Sequence, residues 1–175
     1  MAHDSYTDDH IRGVLRSVST VAVVGASANP VRPSFFVMKY LMQKGYRVIP
    51  INPGQAGGTI LDQPAYARLA DVPEPIDMVD IFRKSEAVPE IVAEAIALSP
   101  RPKVIWMQLG VRNDAAAADA EEAGMTVIMN RCPKIEYARL CGEISWSGVN
   151  SRTISARRPK RQAGVQHLGL DKPDT

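Results

Sequence analysis

Histidine is nearly missing from this chain of 175 residues. The three present are His3, His10 and His167, so none lies between residues 11 and 166. That gap excludes a Ser-His or Cys-His nucleophilic pair within the body, and a multi-histidine metal site with it. Cysteine is equally sparse. Cys132 and Cys141 stand in no C-x-x-C pattern, which points to free thiols in a reducing compartment rather than to a disulfide framework. No apolar run approaches the roughly 18 residues that a membrane span needs. The opening "MAHDSYTDDH" is polar and acidic, unlike a secretory signal, so a cytoplasmic protein without a membrane partner is expected.

A strong charge of either sign is lacking too, since the formal net charge is +2. Residues 151–175 hold six Lys/Arg against two Asp/Glu, and residues 1–150 hold fifteen against seventeen. The body is therefore slightly acidic, which argues against a broad nucleic-acid footprint. The run "RRPKR" (Arg157 to Arg161) belongs to the tail. It reads as a solvated segment, with nucleic acid or an acidic partner as the alternative.

What is present is an alternation of two periods. "TVAVVGA" (Thr20 to Ala26), "YRVIPINP" (Tyr46 to Pro53), "DMVDIF" (Asp77 to Phe82), "KVIWMQLG" (Lys103 to Gly110) and "MTVIMN" (Met125 to Asn130) read as buried strands. Helical stretches fall over Asp8 to Val18, Pro33 to Gly45, Ser85 to Ser99 and Asn113 to Gly124. In the second of these Ser34 is placed to cap and Gly45 to end the helix. "GQAGGTILDQ" (Gly54 to Gln63) reads as a glycine-rich loop, and "YARLADVP" (Tyr66 to Pro73) as a short helix or turn. The pattern predicts an α/β fold: one Rossmann-like domain with a doubly wound parallel sheet of about five strands. It assigns residues 1–155 to that domain and 156–175 to a basic, flexible tail.

Ligands of such folds bind beyond the carboxyl ends of the strands. The first of these ends reads "VAVVGASANPVRPS" (Val21 to Ser34) and keeps only one glycine of a G-x-G-x-x-G fingerprint. The second strand ends in Asn52-Pro53, with no acid before Asp62 to read a ribose diol. A nicotinamide cofactor therefore loses both its close backbone approach and its ribose acceptor, which disfavours an NAD(P) oxidoreductase. What remains suits an anion. A turn leads into a helix N-terminus with free amides, Ser27 and Ser34 carry hydroxyls, and Arg32 and Arg83 sit near strand tips. The bland alternative makes both arginines surface charges and Ser34 only a cap.

The segments "VVGASANPVRPSFFVMKYLMQKGYRVIPINP", "MVDIFRKSEAVPEIVAEAI", "VIWMQLGVRN" and "NRCPKIEYARL" together resemble the small bacterial CoA-binding proteins. These are stand-alone relatives of the CoA-binding N-terminal domain of the succinyl-CoA synthetase α subunit. The resemblance runs from about Ile11 to Arg158. It implies coenzyme A, free or acylated, as ligand. It also implies contacts from Gly25, Ala26 and Ser27 at the glycine turn, Arg32 and Ser34 in the basic loop and cap, and Asn52 and Pro53 at the second tip. Phe82 and Arg83 follow at the third tip, and Gln108, Leu109 and Gly110 at the fourth. The missing carboxylate after Ile51 then makes sense, because a ribose carrying a 3′-phosphate would be repelled by one. Phe82 is open between an apolar ligand surface and the core, and "GQAGG" between a closing loop and a surface turn.

Catalysis is less well supported than binding. The ligase relatives use a phosphorylated histidine on a further domain, and the body here has no histidine. An enzyme handling acyl-CoA with a partner and a nucleotide-responsive regulatory module are the alternatives, and a protein partner or homo-oligomer stays open. Cys132 is either an inert thiol at a strand-to-turn junction or a site for a mixed disulfide with CoA. Asp80 falls among apolar neighbours on its strand and needs a buried donor, with a general-base role as the weaker reading.

Overall fold

Every predicted strand forms, and each is shorter than its apolar run. The computed structural model describes residues 3–142. A leading helix, α1 (Asp8–Ser17), precedes β1 (Thr20–Val24), α2 (Pro33–Gln43) and β2 (Arg47–Ile51). A small hairpin, β3 (Thr59–Ile60) and β4 (Gln63–Pro64), comes next. The remaining elements are β5 (Met78–Ile81), α3 (Val88–Ala97), β6 (Val104–Met107), α4 (Asp114–Glu122), β7 (Thr126–Ile128) and α5 (Pro133–Leu140).

The five long strands form one parallel sheet in the order β2-β1-β5-β6-β7. Parallel strands need crossover connections: α2, α3 and α4 supply three of them, and the segment with the β3-β4 hairpin supplies the one from β2 to β5. The pleat divides the core in two. Val21, Val23, Val48, Met78, Val104, Trp106 and Ile128 pack with Ile11 and Leu15 of α1, Val37 and Met38 of α2, and Tyr137 of α5. Ala22, Ile49, Val79, Ile81, Ile105, Met107 and Val127 pack with Val92 and Ala95 of α3 and Ala116 and Ala120 of α4. Burial on both faces is why these strands read as unbroken apolar runs.

Local chemistry sets the helix ends. The Thr7 hydroxyl accepts from the His10 amide at 3.2 Å, and the Asn113 side chain from the Ala116 amide at 2.9 Å. Gly45, at φ +83°, ends α2 in a left-handed turn, its amide donating to the Met42 carbonyl. Ser34, however, is not the cap of α2. Arg32 takes that position without a side-chain hydrogen bond, and Ser34 lies within the first turn, 3% exposed. The glycine-rich segment also departs from a plain loop. Pro53–Gln55 form a 3-10 turn, and the antiparallel pair β3-β4 follows. Helix α5 was not anticipated at all. The tail, and the boundary expected at residues 155–156, lie outside the described residues.

Candidate functional site

Strand order reverses between β1 and β5: β2 lies on one side of β1, and all later strands lie on the other. The turns leaving β1 and β5 therefore part in opposite directions and open a crevice at the carboxyl edge of the sheet. A cleft of about 440 Å³ occupies this place, lined by Gly25, Asn52, Phe82, Arg83, Lys84, Glu86 and Ala87.

Gly25 is fixed by two constraints. Its φ is +89°, and a Cβ there would stand 2.7 Å from the Phe82 carbonyl oxygen. Only glycine lets the β1 turn approach the β5 tip this closely. The turn is also stitched to β2. The amides of Gly25 and Ala26 both donate to the Ile51 carbonyl, at 2.9 and 3.3 Å. The Asn52 side chain completes the joint, donating from Nδ2 to the Ala26 carbonyl at 2.6 Å and accepting from the Gly54 amide at 2.9 Å. An aspartate would bring a second acceptor against the Ala26 carbonyl, which gives Asn52 a structural reason for being uncharged.

The first crossover satisfies most of its own amides, contrary to the expectation of a free row. Ala28 donates to Gln55 Oε1, Asn29 to Ser27 Oγ, Val31 to Asn29 Oδ1 and Arg32 to the Asn29 carbonyl. Pro30 and Pro33 have no N–H. Among the described residues, the amides of Ser27 and Ser34 are the two in this run that no protein oxygen accepts. The Gln55 contact ties the "GQAGG" segment to the first crossover.

Of the residues singled out in the sequence, Gly25, Asn52, Phe82 and Arg83 converge on the cleft. Phe82 is half-buried, so it packs against the core and lines the cleft at once. Ala26 is wholly buried. Ser27 and Arg32 in the β1–α2 loop, Ser34 in the first turn of α2 and Pro53 in the 3-10 turn after β2 are outside the cleft lining, and Leu109 and Gly110 sit at the separate β6 tip. Gln108 is 5% exposed and turns inward. Its Nε2 donates to both carboxylate oxygens of Asp80, at 2.8 and 3.0 Å. Gln108 is thus the buried donor that Asp80 requires. Burial pushes the Asp80 carboxyl up to about 8, although the Gln108 hydrogen bond opposes the rise.

Sequence reasoning missed Lys84, Glu86 and Ala87. They belong to the 3-10 turn region between β5 and α3, one step past the strand tip where the reading stopped. Several arginines among the described residues are committed to carboxylates: Arg47 to Glu74, Arg112 to Asp4 and Asp114, Arg139 to Asp8 and Glu136. Among the described residues, Arg32, Arg83 and Lys84 stand outside such pairs, as do Arg16, Lys39, Arg101 and Lys134 away from the cleft lining. Two uncommitted cations therefore line the cleft. Cys132 stands at the cap position of α5, 7% exposed, and burial pushes its thiol up to about 11. A buried thiol of that kind is a poor nucleophile near neutral pH. Among the described residues there is no cluster of His, Cys, Asp and Glu fit to hold a metal ion, and no helix long and apolar enough to cross a membrane.

Comparisons with known proteins agree with this architecture. The family described as "CoA binding domain" matches residues 19–138. The uncharacterized protein YneT of Bacillus subtilis is 37% identical over 128 residues, covering 73% of this chain and 92% of that protein. A solved structure of a hypothetical protein from Pyrococcus horikoshii is 38% identical with a TM-score of 0.73, covering 80% of this chain and 96% of that one. An ADP-forming acetate–CoA ligase of Archaeoglobus fulgidus is 34% identical over 91 residues, 51% of this chain and only 13% of the ligase. With its sheet order, its single-glycine turn and a family match spanning the whole sheet, this chain belongs to the CoA-binding domain family.

Proposed function

We propose that the protein binds coenzyme A or an acyl-CoA in the cleft between the β1 and β5 tips, and that it acts as a binding protein rather than as a catalyst. One observation carries this reading. The cations Arg83 and Lys84 line a cleft at the strand-order reversal and are held by no carboxylate among the described residues. A phosphate-bearing ligand supplies the charge they lack. The Ser27 amide in the loop after β1 and the Ser34 amide in the first turn of α2 add donors for a diphosphate. Arg32, on the same crossover, is an outlying cation for the same ligand. Leu109 and Gly110 at the β6 tip are the proposed far end of the ligand's path.

The non-catalytic part of the proposal rests on what surrounds the cleft. Its lining offers no serine, cysteine or histidine as a nucleophile beside Lys84 and Glu86, and the Cys132 thiol is buried and protonated near neutral pH. Calorimetric titration with CoA, dephospho-CoA and NAD tests the reading. CoA is expected to bind at least tenfold more tightly than the other two, since the loss of one charge-assisted phosphate contact costs roughly 1–3 kcal/mol. Equal affinity for all three would remove coenzyme A as the ligand. Turnover across a panel of acyl-CoA thioesters would overturn the binding-only role.

A further inference from the structure

A fully buried carboxyl group stands on β5 two residues before the cleft-lining Phe82, and the binding scheme makes no use of it. Asp80 is 0% exposed. It sits on β5 two residues before Phe82, about 7 Å along the strand, and Phe82 carries the carbonyl that abuts Gly25. The register places Asp80 beside Val23 of β1 and Trp106 of β6. Among the described residues the Gln108 side-chain amide is the donor to its carboxyl, and the Gln108 backbone N–H anchors the β6 tip to the Ile81 carbonyl at 3.4 Å.

The surroundings leave the charge of Asp80 uncompensated. From α1 and α2 the same layer receives the apolar Leu15, Val37 and Met38. From α5 it receives the Cys132 thiol, which stays neutral until about pH 11. The Trp106 indole N–H is spent on the Arg131 carbonyl at 2.8 Å. Among the described residues no cation bears on Asp80. An ionised Asp80 is thus an uncompensated negative charge close to a cleft lined by Arg83, Lys84 and Glu86.

We propose that Asp80 is a positioning residue of the anion cleft whose proton is linked to ligand binding: it fixes Gln108 beneath the strand tips, and its charge, when present, opposes phosphate in front of them. The inference rests on the coenzyme A reading. The linkage is reciprocal. Bound phosphates raise the proton affinity of Asp80, and loss of that proton weakens the ligand. Below about pH 8 the proton is in place and binding is unopposed. Above it, the ligand must bind against the charge or draw a proton in.

The test uses the whole protein and CoA itself. Calorimetry of the wild type in two buffers of different ionisation enthalpy, near pH 8, counts protons taken up on binding; the ligand phosphates are fully ionised there. Affinity is then compared at about pH 7 and about pH 9 in the wild type and in Asp80→Asn, which retains the shape and a polar contact to Gln108. The expected result is net proton uptake in the wild type and a roughly tenfold loss of affinity over that range, for charges about 10 Å apart in protein. The variant is expected to show a flat profile. No proton uptake by the wild type, or identical pH profiles in the two proteins, overturns the linkage while leaving CoA binding intact. Failure of both proteins to bind CoA at any pH overturns the coenzyme A reading and the inference with it. Should Asp80→Asn not fold, the wild-type proton count decides alone.

Discussion

The Asn52 side-chain amide donates to the Ala26 carbonyl at 2.6 Å, joining the end of β2 to the turn that leaves β1. This one contact spans 26 residues of sequence and holds two walls of the cleft together. Asn52→Asp keeps the shape and exchanges the donor for an acceptor. The carboxylate then faces the Ala26 carbonyl and also meets the incoming phosphates. The variant is expected to lose about 1–3 kcal/mol of stability, read by urea denaturation, and to bind CoA more weakly. Unchanged stability would mean that the joint contributes nothing.

The two candidate arginines are expected to differ. Arg83 lines the cleft, whereas Arg32 sits outside it at the start of α2. Arg83→Ala should weaken CoA by about 1–3 kcal/mol, as removal of a charge-assisted phosphate contact does. Arg32→Ala should cost less, and its effect should fade sooner with added salt. Calorimetry at low and high ionic strength separates the two. A larger loss for Arg32 would move the phosphate site onto the first crossover.

Asp80 also makes stability depend on pH, with a sign opposite to that of an ordinary paired carboxylate. In the unfolded chain it ionises near about pH 3.9, whereas in the folded protein it keeps its proton to about pH 8. Between those values the folded state binds more protons, so this group's contribution falls as pH rises and levels off above pH 8. Asp80→Asn removes that slope. Denaturation of the wild type and the variant at about pH 5 and about pH 8 is expected to show the variant gaining relative stability at the higher pH. Parallel curves would contradict the buried acid.

Cys132 should be chemically quiet in the native protein. Its burial and raised thiol pKa leave little thiolate near neutral pH. Non-reducing mass spectrometry of protein incubated with CoA disulfide is expected to find no adduct on Cys132. Cys132→Ala should leave CoA affinity unchanged. A stable adduct would give this thiol a functional role.

The sheet was legible because both its faces are covered, so strands such as Val104–Met107 carry no polar alternation to blur them. The hairpin β3-β4 was not. Its turn residues, Leu61 and Asp62, adopt φ of 51° and 62°, and neither is the glycine that announces such a turn. Helix α5 was hidden for a different reason. Pro133 follows Cys132 directly and reads as the end of a strand, yet proline is also well suited to a first helical turn, where it stands here. Tips that meet at the strand-order reversal, Gly25, Asn52, Phe82 and Arg83, could be named from the sequence alone. The resemblance implies Gln108 as a ligand contact at the fourth tip, and in the structure its side-chain amide donates to Asp80. Side-chain direction at a tip depends on neighbouring strands, which one strand's sequence does not contain.

The interior place of β1, between β2 and β5, has a consequence during synthesis. Its partners are β2, which follows at once, and β5, which begins only at Met78. A nascent chain halted before that residue holds a two-stranded ribbon whose inner edge is bare, and an open edge of this kind invites pairing with another polypeptide. Pairing with β5 covers that edge of β1, and the open edge then passes to β5 until β6 joins it and to β6 until β7 does.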